Sequence, residues 1–171
     1  MASSTLTNIT GVMLETLPDE KLARFGPGRA PDGNFVLSEI ELKWGAGTNA
    51  ADKAAKFVDA RADFSQADFS PKQAIDGRVE AGVNGWAIGG APTIQRHTAT
   101  FKLEQPIAST NGAMVRVVLK QQFGEQYLLG RFRLYLTSAE DPLDFGLPQK
   151  VVQAARATAG QRTSARSPTH P

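Results

Sequence analysis

Gly26-Pro27-Gly28-Arg29-Ala30-Pro31-Asp32-Gly33-Asn34-Phe35-Val36-Leu37-Ser38-Glu39-Ile40-Glu41-Leu42 decides the reading of this chain. A loop rich in glycine and proline runs straight into a segment of alternating polarity. Glycines and prolines supply the positive-φ positions and tight turns that such a loop needs. Over Phe35 to Trp44, the side chains of Val36, Ile40, Leu42 and Trp44 face one way. Glu39, Glu41 and Lys43 face the other, which is the period of a half-buried strand.

The same pattern recurs on both sides. Ile9 to Leu17 sets Val12 and Leu14 against Met13 and Glu15. Lys56 to Phe64 sets Val58, Ala60, Ala62 and Phe64, expected inward, against Asp59, Arg61 and Asp63. Thr98 to Glu104, Ala113 to Phe123 and Leu128 to Thr137 alternate likewise, the last with Phe132, Leu134 and Leu136 expected inward. Asn111-Gly112 and residues 123–126 read as connections between neighbouring strands. Only Gln149 to Ala159 looks helical, opened by Pro148 and stopped by Gly160. Short strands separated by turns, with one terminal helix, predict an all-β sandwich or barrel.

The 171 residues suit one domain with a full core. We expect disorder over 1–7, a single module over 8–160 and a disordered basic tail over 161–171. No apolar run approaches the roughly 18 residues of a membrane span. The first residues carry no signal-peptide pattern, and Met1 equally suits a domain taken from a longer chain. The absence of cysteine excludes disulfides, cysteine-based zinc sites and heme attachment. The formal charge of +2 conceals an asymmetry. Beyond Asp144 the only charges are Lys150, Arg156, Arg162 and Arg166, so residues 1–144 carry −2. A mildly acidic body argues against nucleic acid as a partner.

A family resemblance rests on residues in order along the chain. They are Ile9 to Pro18, Gly26 to Ala30, Gly33 to Leu42, Ala60 to Gln66, Ala74-Ile75-Asp76-Gly77, Gly85-Trp86-Ala87, His97 to Phe101 and Leu129 to Leu134. This series resembles the galactose-binding-like, carbohydrate-binding-module-like domain of planctomycete multidomain proteins that carry a cytochrome-c-like domain. The resemblance spans roughly residues 8–160 and implies a jelly-roll β-sandwich with a short C-terminal helix. It also implies a non-catalytic module of a larger exported protein, placed in the periplasm or outside the cell. The parent's other domains and a polysaccharide or glycan would then be its partners. No heme motif is present, so no redox role follows. Arg78 stands after Asp76-Gly77, where discoidin-type relatives often have an acid or amide, which weakens a calcium site there.

Five residues form the expected ligand site at the loop end: Arg29, Asn34, Asp76, Trp86 and His97. A tryptophan ring can stack on a pyranose face, although Trp86 between Gly85 and Ala87 also suits the core. His97 can meet a sugar hydroxyl or hold the 89–96 loop through a backbone carbonyl. Arg29 and Asn34 flank a turn and either bind or brace. Asp76 offers one calcium ligand where several oxygens are required, with Glu15, Glu140 and Asp141 as distant candidates. Cofactors and metals are otherwise not expected, and His97 and His170 are too scattered for a histidine metal site.

Lys102, Arg116, Lys120, Arg131 and Arg133 would form a basic sheet face if strands pair in sequence order. The alternative is a solvated face neutralised by Glu39, Glu41, Asp59 and Asp63. No Gly-x-Ser-x-Gly, HExxH or phosphate-binding loop is present, and no spacing singles out a carboxylate pair. The expected function is weak polysaccharide binding through loops at one end of the sandwich, without catalysis. The alternative is a structural spacer or protein-interaction domain. A cleft holding paired carboxylates would point instead to a polysaccharide-processing enzyme.

Overall fold

The alternating segments are strands in the computed structural model of the chain, which describes residues 2–4, 6–46, 53–92, 94–109 and 113–144. The helix expected over 149–159 and the tail over 161–171 lie outside the described residues. In chain order the strands are β1 (Ala2–Ser4), β2 (Asn8–Thr16), β3 (Val36–Leu37), β4 (Glu39–Ala46) and β5 (Lys53–Ala55). They continue with β6 (Phe57–Ala62), β7 (Trp86–Ala87), β8 (His97–Ala108), β9 (Ala113–Lys120) and β10 (Phe132–Thr137). Among the described residues the helical structure is three short 3-10 turns, Ala23–Phe25, Pro71–Ile75 and Pro142–Asp144. No helix among them is long and apolar enough to cross a membrane.

The fold is all-β and antiparallel. Two four-stranded sheets run β1-β9-β4-β5 and β10-β2-β8-β6, and β3 pairs with β7 in a small ribbon. Both large sheets contribute to one core. Val12 and Leu14 of β2, Ile40 and Leu42 of β4, Phe101 of β8 and Val115 of β9 are all buried there. The arrangement is sandwich-like. Adjacent pairs such as Val12 beside Phe101 and Leu42 beside Val117 set apolar side chains next to one another on the inner faces.

Strands do not pair in sequence order. β8 and β9 are consecutive but lie in opposite sheets, and so do β9 and β10. The basic face expected from sequential pairing is therefore divided. Lys102 and Arg133 belong to one sheet and Arg116 and Lys120 to the other, while Arg131 precedes β10. Several of these cations meet acids: Lys120 with Glu41 at 2.5 Å, Arg131 with Asp19 at 3.4 Å and Arg133 with Glu15 at 4.0 Å. Lys102 stands opposite Asp59 in register.

Three local expectations change. Val58 is 47% exposed and Phe57 is buried, because an irregularity between Phe57 and Asp59 shifts the alternation by one residue. Phe132 and Leu134 are 40% and 37% exposed, since β10 is an edge strand with a partner on one side only. Ala2–Ser4, within the stretch expected to be disordered, pairs with Ala113–Val115 of β9.

Candidate functional site

The loop end is built by backbone closure. Gly28 forms a bridge with Leu129, Arg29 N–H donates to the Leu128 carbonyl, and Val36 N–H donates to the Tyr127 carbonyl. A Cβ on Gly28 would overlap the Asn34 carbonyl, so only glycine lets the 26–34 loop close on itself here. Loops 17–35 and 121–131 are thereby locked together.

Of the five sequence-predicted site residues, Asn34, Trp86 and His97 are drawn together, but inside the protein. Trp86 is fully buried, packs edge-on against Phe35 at 5.2 Å, and donates from Nε1 to the Phe64 carbonyl at 3.0 Å. Neither ring face is open for stacking, so its core reading holds in this structure. Asn34 is also buried. Its Oδ1 accepts from Ile88 N–H at 3.0 Å and its Nδ2 donates to Gln66 Oε1 at 3.1 Å. His97 is 5% exposed, with Nδ1 at 3.2 Å from Asp63 Oδ2 and its ring 5.7 Å from Phe64. Segment 63–66 is thus the common partner of all three. It forms an internal bracket that fixes the loops above it.

The bracket favours charge on the Asp63–His97 pair. The hydrogen bond that His97 donates to Asp63 raises the His97 pKa above 6.5 against the opposing effect of burial, and the Asp63 charge and Pro92 carbonyl add to the rise. Burial works to raise Asp63, yet hydrogen bonds from His97, Thr98 N–H and Phe64 N–H together hold it below 3.8. His97 Nε2 is buried, and among the described residues no acceptor meets it in full hydrogen-bond geometry.

Arg29 and Asp76 are exposed and serve different surfaces. Arg29 tops the 26–33 loop with no ion pair on its guanidinium among the described residues. Two clefts meet there at Asp32. One, of about 260 Å³, is bounded by Arg24, Asn34 and Gly89 to Ala91, and the other, of about 400 Å³, by Pro31 and Glu125 to Tyr127. Four non-glycine residues at this end have left-handed backbone: Arg24 (φ 50), Phe25 (φ 56), Glu125 (φ 46) and Gln126 (φ 64). Such positions cost on the order of 1–3 kcal/mol each. Phe25 is also 59% exposed.

Asp76 lies beside a residue that sequence reading passed over. Ser70, Pro71 and Gln73 form a capping box, with Gln73 Oε1 accepting from Ser70 N–H at 2.7 Å, and this starts the turn Pro71–Ile75. The chain leaves it through Gly77 at φ 80, which turns its N–H onto Glu39 Oε2 at 3.2 Å. Glu39 is 8% exposed. Burial pushes its carboxyl up to about 7, helped by the charges of Asp76 and Glu41 and opposed by Gly77 N–H and Lys120. Glu39, Glu41 and Asp76 share one cleft of about 400 Å³ with Lys43, Lys56 and an apolar wall that includes Ala55 and Phe57. The remaining strong contacts are local: Glu41 binds Lys120, and Asp76 Oδ1 accepts from Arg78 N–H at 2.9 Å.

Among the described residues no group of three or more histidines or acids is placed to hold a metal ion. Glu15, a distant calcium candidate, instead accepts from Tyr135 at 2.8 Å and pairs with Arg96. No family model, curated protein or solved structure matches this chain.

Proposed function

We propose that the chain is a non-catalytic carbohydrate-binding module, a jelly roll of the galactose-binding-like kind, serving as one unit of a larger exported protein. Consecutive strands that alternate between opposite sheets support the jelly-roll reading. The observation that carries the functional reading is Phe25. An aromatic ring that is 59% exposed, on a left-handed backbone that an L side chain rarely adopts, contributes little to the core. Strain held at an exposed loop is a mark of a ligand surface. The ring offers a face for a pyranose, and Arg29 and Asp32 offer polar partners for its hydroxyls. In this reading Asn34, Trp86 and His97 hold the loops and do not touch the sugar.

One stacked ring and a few exposed hydrogen bonds give an affinity on the order of micromolar to millimolar. Retardation of the protein in gels containing neutral and anionic polysaccharides tests this. Phe25→Ala and Arg29→Ala should abolish or weaken retardation, and Arg116→Ala and Lys102→Ala, one in each large sheet, should leave it intact. Dependence on Arg116 or Lys102, with loss in salt, would move binding to a charged sheet face. If no glycan retards the wild type, the spacer or protein-interaction reading replaces this one.

A further inference from the structure

The cleft beside β4 arises from incomplete pairing. β5 accompanies β4 only from Leu42 to Trp44, and the chain then turns away into β6. The earlier part of β4 therefore has no strand on that side. Residues 75–77 close the far wall through the bond from Gly77 to Glu39. What remains is a cleft of about 400 Å³, a size that suits a small organic molecule.

Its polar groups are unequally satisfied. Glu41 is taken by Lys120 at 2.5 Å, and Lys56 by Glu104 at 2.9 Å. Glu39 is 8% exposed and has one oxygen on Gly77 N–H, while among the described residues Oε1 accepts no hydrogen bond and keeps some access to the cleft. A carboxylate this deeply set with a single donor is costly, because part of its hydration has been removed without replacement. The cost disappears if a ligand brings the missing donor and the missing charge. The charged groups around it are Glu41, Asp76, Lys43, Lys56 and Lys120. Asp76 and Glu41 disfavour negative charge at Glu39, and Lys120, opposite it in register, works against them while paired with Glu41. An added cation is therefore favoured at this point, and an added anion is not.

We propose that the Glu39 cleft binds a primary ammonium group carried on a short apolar or sugar body, with Glu39 Oε1 as its acceptor and Asp76 at the rim. Ala55 and Phe57 line the wall against which the body would lie. Because Glu39 holds its proton to about pH 7, binding of a cation releases that proton. Affinity then rises with pH through neutrality, in the direction opposite to a site that binds the protonated acid. The inference does not depend on the loop-end reading, since the two surfaces share no residue.

Titration calorimetry on the full chain tests it, with n-butylamine hydrochloride as probe and n-butanol as the neutral control. Butylammonium should bind near pH 8 with millimolar affinity and about tenfold more weakly near pH 6. Glu39→Gln keeps an acceptor for Gly77 N–H, so it should fold, lose most of the binding and lose its pH dependence. Asp76→Asn, at an exposed position, should weaken binding severalfold. Glucosamine and Nα-acetyl-lysine amide then separate the sources of the ammonium: tighter binding of the first points to an amino sugar, and of the second to a peptide side chain. Equal binding of butanol and butylammonium would overturn the proposal. So would undiminished binding by the folded Glu39→Gln variant, or no heat with any of the amines.

Discussion

Two ionisable sites in this molecule, each with one buried side chain, behave in opposite ways. At the loop end, Asp63 and His97 meet at 3.2 Å, and each favours the other's charged form. Beside β4, Glu39 meets one backbone N–H and two other acids, and its neutral form is favoured. Both sites have backbone partners. The difference is the partner charge: in the first it is bonded to its acid, and in the second Lys120, opposite Glu39 in register, is bonded to Glu41 instead. Burial alone therefore does not mark a ligand site. A buried group whose partner is supplied by the fold is a brace, whereas one whose partner is absent has something left to bind.

The largest effect should come from dismantling the brace. Trp86→Ala removes a fully buried ring that packs on Phe35 and caps the Phe64 carbonyl. We expect a loss of about 3–5 kcal/mol in chemical denaturation. A loss below about 1 kcal/mol would mean that the ring is not part of the core.

Glu39→Gln should act with the opposite sign. The folded-state pKa of Glu39 is raised from 4.5 to about 7, so its contribution to stability is full below 4.5 and is lost as pH rises through 7. The amide does not titrate. The variant should match wild type near pH 4.5 and exceed it by about 2 kcal/mol near pH 8. Denaturation curves at the two pH values check this, and a variant less stable than wild type at alkaline pH would break the comparison.

Asp63→Asn should cost about 1 kcal/mol, a figure kept small because the Asp63 side chain is 40% exposed. The His97 pKa is raised, so its contribution is full below 6.5 and fades as pH rises through the raised value. The Asp63 pKa is lowered, so its contribution is full above 3.8 and fades as pH falls through the lowered value. The difference between variant and wild type should be widest between 3.8 and 6.5 and narrow on the alkaline side. A difference that grows above neutrality would contradict the ion pair.

Much of the fold is legible in the sequence, and little of the site is. Val12 and Leu14, Ile40 and Leu42, and Ala99 and Phe101 alternate so regularly that their strands and inner faces follow from period alone. Val58 is misplaced by an irregularity that leaves no mark in the sequence. β7 and β3 have two residues each, too few to show a period, and their pairing depends on long-range closure. Pairing across sheets is likewise non-local, so sequential pairing gives the basic face the wrong neighbours. Trp86, His97 and Asn34 stand out by residue type near loops, and residue type does not separate a braced loop from a binding one. Glu39 reads as an outward polar residue of an alternating strand. Its burial comes from residues 75–77 lying over it, with Ser70-Pro71 and Gln73 as the only sequence signal of that turn.

The smallest effect on stability should be at Phe25. Its ring is mostly exposed, so Phe25→Ala should change stability by no more than about 0.5 kcal/mol while removing polysaccharide retardation. A large stability loss would make Phe25 another brace.

The contrast between the two sites is tested most directly by following the Glu side-chain carboxyl carbons by NMR as a function of pH, with Glu39→Gln to assign the resonance. The account predicts that Glu39 titrates with a midpoint at about 7. A midpoint near the ordinary 4.5 would show that its charge is already satisfied by the fold, and would contradict the claim that the cleft lacks a partner.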